Sequence, residues 1–424
     1  MNKKISIKIL HALFLLMGSV VMAEAKPVKL QEMTDAEMSN VNGQALMSLS
    51  YTSPTDSINK MNGQNVGFYK LGLEGELELN ANIKKIQLGC GGVNGAGGCD
   101  IDIDNLSISG ISETQEGRVG SDAKLTNPFL EFAIKNPNSA STREMIGVRL
   151  SAEKALGMLS LGNENSTKAN GINSLSGYLN VLSTTGVANT ASRNLTFPDT
   201  NIPVKGSLSV LFGLDKIPFS TSNYNLALES TTADLNIFGT QITGTRIQNA
   251  ILKGQAAINQ INVSGSIVPT IVGITVPINI NVTGNITGIT ADVDISENLG
   301  FIHKIQLNNP LSLSLQNQKV FWPGATVEAN RGWWLAVEDS IDIGKITPSD
   351  SIAITNDVLT QAVPKINDFL AQKTMQCTLL SCIFGLDIGN INLTGSSPVN
   401  FPIKDVQLAT QNFAPNCYGS LKFC

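Results

Sequence analysis

Along most of the chain, apolar residues occupy every second position. Val276, Ile278, Ile280, Val282, Gly284 and Ile286 alternate with Thr275, Pro277, Asn279, Asn281, Thr283, Asn285 and Thr287. An extended strand with that pattern has one aliphatic face and one neutral polar face. The same period runs from Tyr69 through Leu71, Leu73, Gly75, Leu77, Leu79 and Ala81 to Ile83, and recurs in Asn225–Ile247 and Ile302–Leu315. The phase slips by one residue at Lys84-Lys85, between Ile103 and Leu106, and between Ile286 and Ile289. Such a slip marks a bulge or a bend. Long, bent strands that are greasy on one side predict a mainly β protein. The expected form is an elongated, curved antiparallel sheet, or a sandwich or flattened tube. Asn262-Val263-Ser264-Gly265 and Asn281-Val282-Thr283-Gly284 echo each other, but no fixed period emerges and no solenoid is expected.

Two stretches have helical spacing instead. Val358, Leu359, Ala362, Val363, Ile366, Phe369 and Leu370 fall on one face of a helix over about 355–372, with Thr355 as its cap and Asp357 in its first turn. Pro364 must kink or restart it. Nearer the start, Thr34 and Glu37 form a capping box, Met33 and Met38 sit at the staple positions, and Gly43 suits the C′ position. A helix of about two turns is unstable alone, so it must dock. Its surface is either the protein's own β-body or a secretion or assembly partner, for which Met33, Thr34, Glu37, Met38 and Gly43 are the candidate recognition residues.

The first residues read as an export signal. Met1-Asn2-Lys3-Lys4 is basic, Ile9 to Met22 is apolar, and Ala23-Glu24-Ala25 is an A-x-A cleavage site. The expected organisation is a signal peptide at 1–25, a short helical segment at 26–50 and a β-rich body at 51–424, with a subdivision near residue 220 and a disulfide-stapled end. No later stretch reads as a membrane helix. The richest, Ile267 to Ile280, is interrupted by Pro269, Gly273 and Pro277. The expected location is the periplasm, the outer membrane surface or the extracellular space.

Charge and cysteine usage fit that compartment. The formal charge is −5, and becomes −7 without residues 1–25, because three lysines and one glutamate leave. An acidic surface argues against nucleic acid, which selects basic patches. Charged residues are 15% of the chain, well under the roughly 25% of ordinary soluble proteins, and Ser, Thr, Asn and Gly replace them. The cysteines fall in close pairs, Cys90/Cys99, Cys377/Cys382 and Cys417/Cys424. An even count in an exported chain implies disulfides, and local pairing is the simplest assignment. Cys377, Cys382, Cys417 and Cys424 still allow other connectivities, and a four-cysteine zinc site is the alternative chemistry.

Catalytic signals are weak. Asp100, Asp102 and Asp104 alternate with Ile101 and Ile103 and form a candidate calcium site. However, Asn105 and Ile111 stand where an EF-hand would need its glycine and its bidentate glutamate, and a solvated strand face is the plainer reading. His303 is the only histidine after residue 25, too little to establish a catalytic triad. The glycines between Cys90 and Cys99 make a turn, not a phosphate cradle, and no cofactor is implied. All the tryptophans cluster in Phe321-Trp322-Pro323 and Gly332-Trp333-Trp334. Adjacent Trp333 and Trp334 on a strand face opposite ways, which makes Trp322, Trp333 and Trp334 the candidate binding surface, with core packing as the competing reading.

Leu30-Gln31-Glu32-Met33-Thr34-Asp35-Ala36-Glu37-Met38-Ser39-Asn40-Val41-Asn42-Gly43-Gln44 resembles a segment that follows the signal peptide in many exported gammaproteobacterial proteins, with Met38 in place of its usual leucine. The remainder resembles the A component of the Fil-type predicted pilus-assembly proteins of that group. The resemblance is carried by Asn127-Pro128-Phe129-Leu130-Glu131-Phe132-Ala133, Met145-Ile146-Gly147-Val148-Arg149-Leu150 and the ending Asn416-Cys417-Tyr418-Gly419-Ser420-Leu421-Lys422-Phe423-Cys424. It implies a structural or assembly role at the cell envelope, with pilus or envelope assembly proteins as partners and no catalytic residues. Val363-Pro364-Lys365-Ile366-Asn367-Asp368-Phe369-Leu370 is similar to the helix segment of tubular lipid-binding proteins, which wrap a curved sheet around a helix. That resemblance implies a carrier of lipid-like molecules. A carrier needs a continuous apolar tunnel of several hundred cubic ångströms, whereas a structural protein fills that space with side chains. A glycan hydrolase would need a distinctive carboxylate pair, which the sequence does not single out.

Overall fold

The structure, a computed structural model, describes residues 47–404 apart from 93–94, 96, 164–169, 210–215, 272–273, 276–277 and 377–384. The expected signal peptide, the expected helix with Met33, Thr34, Glu37, Met38 and Gly43, and Cys377, Cys382, Cys417 and Cys424 lie outside the described residues.

The described chain is mainly β, in three sheets. The first follows the spatial order Met47–Thr52, Val66–Leu73, Ala123–Lys135, Glu144–Ser160, Leu311–Gln316, Gly332–Ile341, Ile172–Val181, Ile101–Ser109, Ala81–Leu88. Ser107–Ser109 also pairs with Met158–Ser160, which brings part of this sheet round to a nearly closed ring. The second runs Thr374–Gln376, Val204–Ser209, Lys216–Leu228, Ile261–Ile271, Ile280–Thr287, Leu386–Asn392. The third runs Val399–Lys404, Ile289–Asn298, Asn249–Ile258, Thr232–Ile237, Thr184–Asn189. Helices are few: α1 (Gln115–Val119), α2 (Phe197–Thr200) and α3 (Asn356–Gln372).

Period-two alternation becomes burial as expected. In Ile289–Asn298, Ala291, Val293 and Ile295 are buried while Thr290 and Asp292 are not; Ile280, Val282 and Ile286 are buried in the neighbouring strand. The echoing Val263–Gly265 and Val282–Gly284 lie side by side in antiparallel register.

Several expectations need correction. The sheets are mixed, not antiparallel. Gly332–Ile341 lies parallel to Ile172–Val181, and Thr374–Gln376, Leu386–Asn392 and Val399–Lys404 each join a sheet in parallel. Those last three follow α3, and a crossover of that length permits parallel entry. No boundary falls near residue 220, which is inside Lys216–Leu228, and Leu46–Cys424 forms one unit. Among the described residues the first strand is Met47–Thr52, so positions 47–50 of the segment expected to be helical are β. The run from Tyr69 to Ile83 is split into Val66–Leu73, Glu76–Leu79 and Ala81–Leu88. The slip at Lys84-Lys85 is not a bulge: Ile83 pairs with Leu106 and Ile86 with Ile103 in unbroken register. Both strands change phase at the same level, where Asn105 takes a positive φ of 49°. Asn tolerates that left-handed conformation better than most residues.

Helix α3 is capped by Thr355, whose Oγ1 accepts from the Val358 N–H, and it continues through Pro364 without restarting. Of its apolar stripe, Leu359, Val363 and Leu370 are buried in a cluster with Phe219, Val263, Val282 and Leu386 of the second sheet, while Val358 is buried in the main core with Val399 and Phe401. Two side-chain amides hold it to strands. Asn367 accepts from the Lys205 N–H (2.9 Å) and donates to the Pro203 carbonyl (2.9 Å). Gln361 accepts from the Asn400 N–H (2.7 Å) and donates to the Asn400 carbonyl (3.1 Å). Each amide pairs with strand backbone as another strand would.

His303 supplies a testable consequence of packing. Its Nδ1 lies 3.0 Å from the Leu161 carbonyl, and its own carbonyl accepts from the Leu161 N–H at 2.8 Å. Burial holds the imidazole below its ordinary pKa, with the Leu161 carbonyl partly opposing. The unfolded chain therefore takes up this proton first as acid is added. The neutral ring's contribution to stability is complete above about pH 6.5 and is lost as pH falls through the depressed folded value. Denaturant midpoints measured between pH 7 and 5 should fall less in His303→Gln than in the parent. An unchanged slope would sink this assignment.

Candidate functional site: an open apolar sheet face and its edge

The first sheet has two unlike faces. One packs on a buried cluster of Met61, Phe68, Ile146, Val320, Trp322 and Trp334. The other face is covered by the main core at Leu311, Leu313, Trp333 and Leu335, and beyond that cover it carries apolar rows that cross the strands. Leu49 lies opposite Leu71, Leu71 opposite Leu130, and Leu130 opposite Leu150. The next row is Tyr51, Tyr69, Phe132, Val148 and Leu315. Antiparallel sheets with a solvated face ordinarily make that face polar. Here Leu49 is 74% exposed, Leu150 51%, Met145 59% and Tyr51 42%. The Tyr51 and Tyr69 rings lie 4.5 Å apart, centroid to centroid. Burial and the neighbouring phenol both raise the pKa of Tyr51.

Among the described residues this face ends at the edge strand Met47–Thr52. An unpaired edge templates pairing with another chain, and folded proteins normally blunt it. The other strands that end the main order of a sheet are blunted. Ala81–Leu88 carries Lys84 and Lys85. Val399–Lys404 contains Pro402 and is held by Gln361. Thr184–Asn189 is bridged by Ile346 and, just beyond it, Ile352. Thr374–Gln376 is three residues long. Leu386–Asn392 meets Lys373, whose Nζ donates to the Asn390 carbonyl at 3.2 Å. Met47-Ser48-Leu49-Ser50-Tyr51-Thr52 has no charge, no proline and no register shift against its neighbour.

The sequence-derived candidates fall elsewhere. Trp322 and Trp334 are each 2% exposed and pack in the buried cluster, with the Phe68 and Trp322 centroids 5.7 Å apart. Only Trp333 is half-buried, against the main core. Two of the three are thus packing residues rather than a binding surface. The aspartates do not converge. Asp102 and Asp104 share Lys85 at 2.8 and 2.9 Å and also accept from Asn173. Asp100, buried, accepts from the Trp333 N–H at 3.0 Å. Burial alone would raise the pKa of Asp102, but Lys85, with the Gln87 and Asn173 amides, outweighs it and lowers the pKa. An ammonium already occupies the position that a cation would take. No cluster of three or more His, Cys, Asp or Glu able to hold a metal occurs among the described residues. Cys90 and Cys99 are joined, with an S–S distance of 2.03 Å.

Beneath α3 lie two adjoining apolar cavities of about 50 Å³ each, which share Leu195, Leu228, Ile286, Val363 and Ile366 in their walls. Each is room for a small molecule at most, and no polar side chain except Thr190 faces them. No helix among the described residues is long and apolar enough to cross a membrane.

Comparison with protein-family profiles, with curated proteins and with solved structures finds no match for this chain.

Proposed function

We propose that this chain is an exported, non-enzymatic structural or assembly protein of a pilus-like or adhesive cell-surface system. The observation that carries the reading is the open apolar face with its unblunted edge. That is chemistry for another protein, and it is not a cleft with convergent polar groups, which an enzyme or small-molecule site requires. The two internal stretches similar to Fil-type pilus-assembly proteins, Asn127–Ala133 and Met145–Leu150, pair with each other in this sheet. They supply Leu130, Phe132, Val148 and Leu150 to the open face. The partners proposed are pilus or envelope assembly proteins, and the segment with Met33, Thr34, Glu37, Met38 and Gly43 is a second contact for them.

Deleting the gene in its native host should remove surface fibres or adhesion, and the protein should fractionate with the envelope. Protein confined to the cytosol, or a deletion with normal fibres and normal adhesion, would overturn the reading. Deleting Gln31 to Gln44 then separates a structural cap, whose loss lowers thermal stability, from a recognition segment, whose loss spares stability and stops assembly.

A second reading, a carrier of lipid-like molecules, is favoured by α3 packed against the second sheet over two apolar cavities. Their volumes are small beside the several hundred cubic ångströms of a ligand pocket. Native mass spectrometry decides between the two: stoichiometric co-purifying lipid would displace the structural reading.

A further inference from the structure

We infer that Met47–Thr52 pairs with the same strand of a second copy of this chain, making a two-fold dimer through sheet addition. The inference rests on the proposed structural role and names one partner within it.

The strand is suited to its own copy. Antiparallel pairing about Ser50 sets Ser50 against Ser50 of the second copy and Leu49 against Tyr51, twice, because residues directly opposite share a face. The apolar rows that begin at Leu49 and Tyr51 would then run without interruption from one copy into the other. The Ser48 and Ser50 side chains would meet only hydroxyls and backbone on the opposite face. Self-pairing of most strands brings like charges together, a destabilising arrangement. This strand has none to bring together, whereas Ala81–Leu88 would oppose lysines and Val399–Lys404 would present a proline. A neutral strand gains nothing from a charged partner strand. Its aliphatic and aromatic residues, partly exposed at Leu49 and Tyr51, are matched by the same residues from its own copy.

The mode closes on itself. A two-fold contact uses the same patch on both copies, so it yields pairs and not a fibre. Six residues per side make a small interface, so the dimer should form in a concentration-dependent way.

The test uses the purified full chain. Sedimentation velocity across a concentration series should show a monomer–dimer equilibrium. Leu49→Lys removes an exposed contact and places two ammonium groups beside the two-fold axis. It should weaken the dimer by about tenfold or more while leaving the circular dichroism and melting temperature unchanged. Ser50→Cys should form a disulfide-linked dimer under mild oxidation, and Ser183→Cys, exposed in the connection just before Thr184–Asn189, should not. A chain that stays monomeric at high micromolar concentration and does not cross-link through Ser50→Cys overturns the pairing, whichever other protein or chain segment covers the face. Cross-linking equal at both positions, with open-ended aggregation, overturns it also. A monomer would leave the envelope role standing. A dimer from a cytosolic protein would leave the pairing standing and remove that role.

Discussion

Arg149→Met alone is expected to destabilise the protein by about 3–5 kcal/mol, because it strands a buried carboxylate. Arg149 and Glu131 lie opposite each other in their ladder. Their side chains are 8% and 3% exposed and form an ion pair. The guanidinium also donates to the Pro323 carbonyl at 2.9 Å and lies 5.3 Å over the Trp322 ring. Burial pushes the Glu131 carboxyl up and the Arg149 guanidinium down, and the opposite charge pulls each partly back. Both charges therefore depend on each other. The double variant Glu131→Leu with Arg149→Met should recover most of the loss, since a buried pair is often no more stabilising than apolar residues of similar volume. Urea midpoints of the parent, both single variants and the double variant make the measurement. A single variant within about 0.5 kcal/mol of the parent would show that the pair is not buried as described.

The second large effect belongs to Trp334. Its ring is 2% exposed in the cluster with Phe68, Ile146 and Trp322, and truncating a buried tryptophan costs about 3–5 kcal/mol. Trp334→Ala should therefore lower the midpoint far more than Trp333→Ala, whose ring is only half-buried and whose backbone N–H keeps its bond to Asp100. Equal losses would mean that the two side chains have been assigned to the wrong faces. Emission should tell the same story: the parent's fluorescence should be blue-shifted, and Trp333→Ala should shift it further to the blue.

Local rules made part of this protein legible. The β character and the alternating burial of Ile280, Val282, Ala291 and Val293 follow from period two, and the disulfide between Cys90 and Cys99 from their close spacing across a glycine-rich loop. The start of α3 is written in Thr355 and the stripe behind it. What stayed hidden depends on register. The parallel entry of Leu386–Asn392 and Val399–Lys404 is set by where α3 leaves the chain, which no residue pattern encodes. Glu131 and Arg149 are ordinary charges until a ladder puts them opposite each other in a covered face. The open face escaped notice for a similar reason. Alternation says that one side of Val66–Leu73 or Ala123–Lys135 is apolar, but not whether a neighbour covers it. The aspartates looked like a set because they share one strand. Lys85, from the next strand, satisfies two of them, and Asp100 turns to Trp333.

The placement of α3 and the strands after it bears on the order of folding. The second and third sheets each gain a strand from residues 386–404, paired in parallel with partners about 100 residues earlier. The amides of Asn367 and Gln361 reach strand backbone on both sides of the helix, at Pro203–Lys205 and Asn400. Such distant pairings form slowly, because loop-closure entropy precedes the reward. A chain emerging from its N-terminal end would hold an incomplete second and third sheet until α3 and its following strands arrive. During that interval the apolar surface of Val263, Val282 and Val293 is open to misassociation. The chance of misassociation would then be set by how quickly α3 and the strands after it are delivered, more than by the stability finally reached.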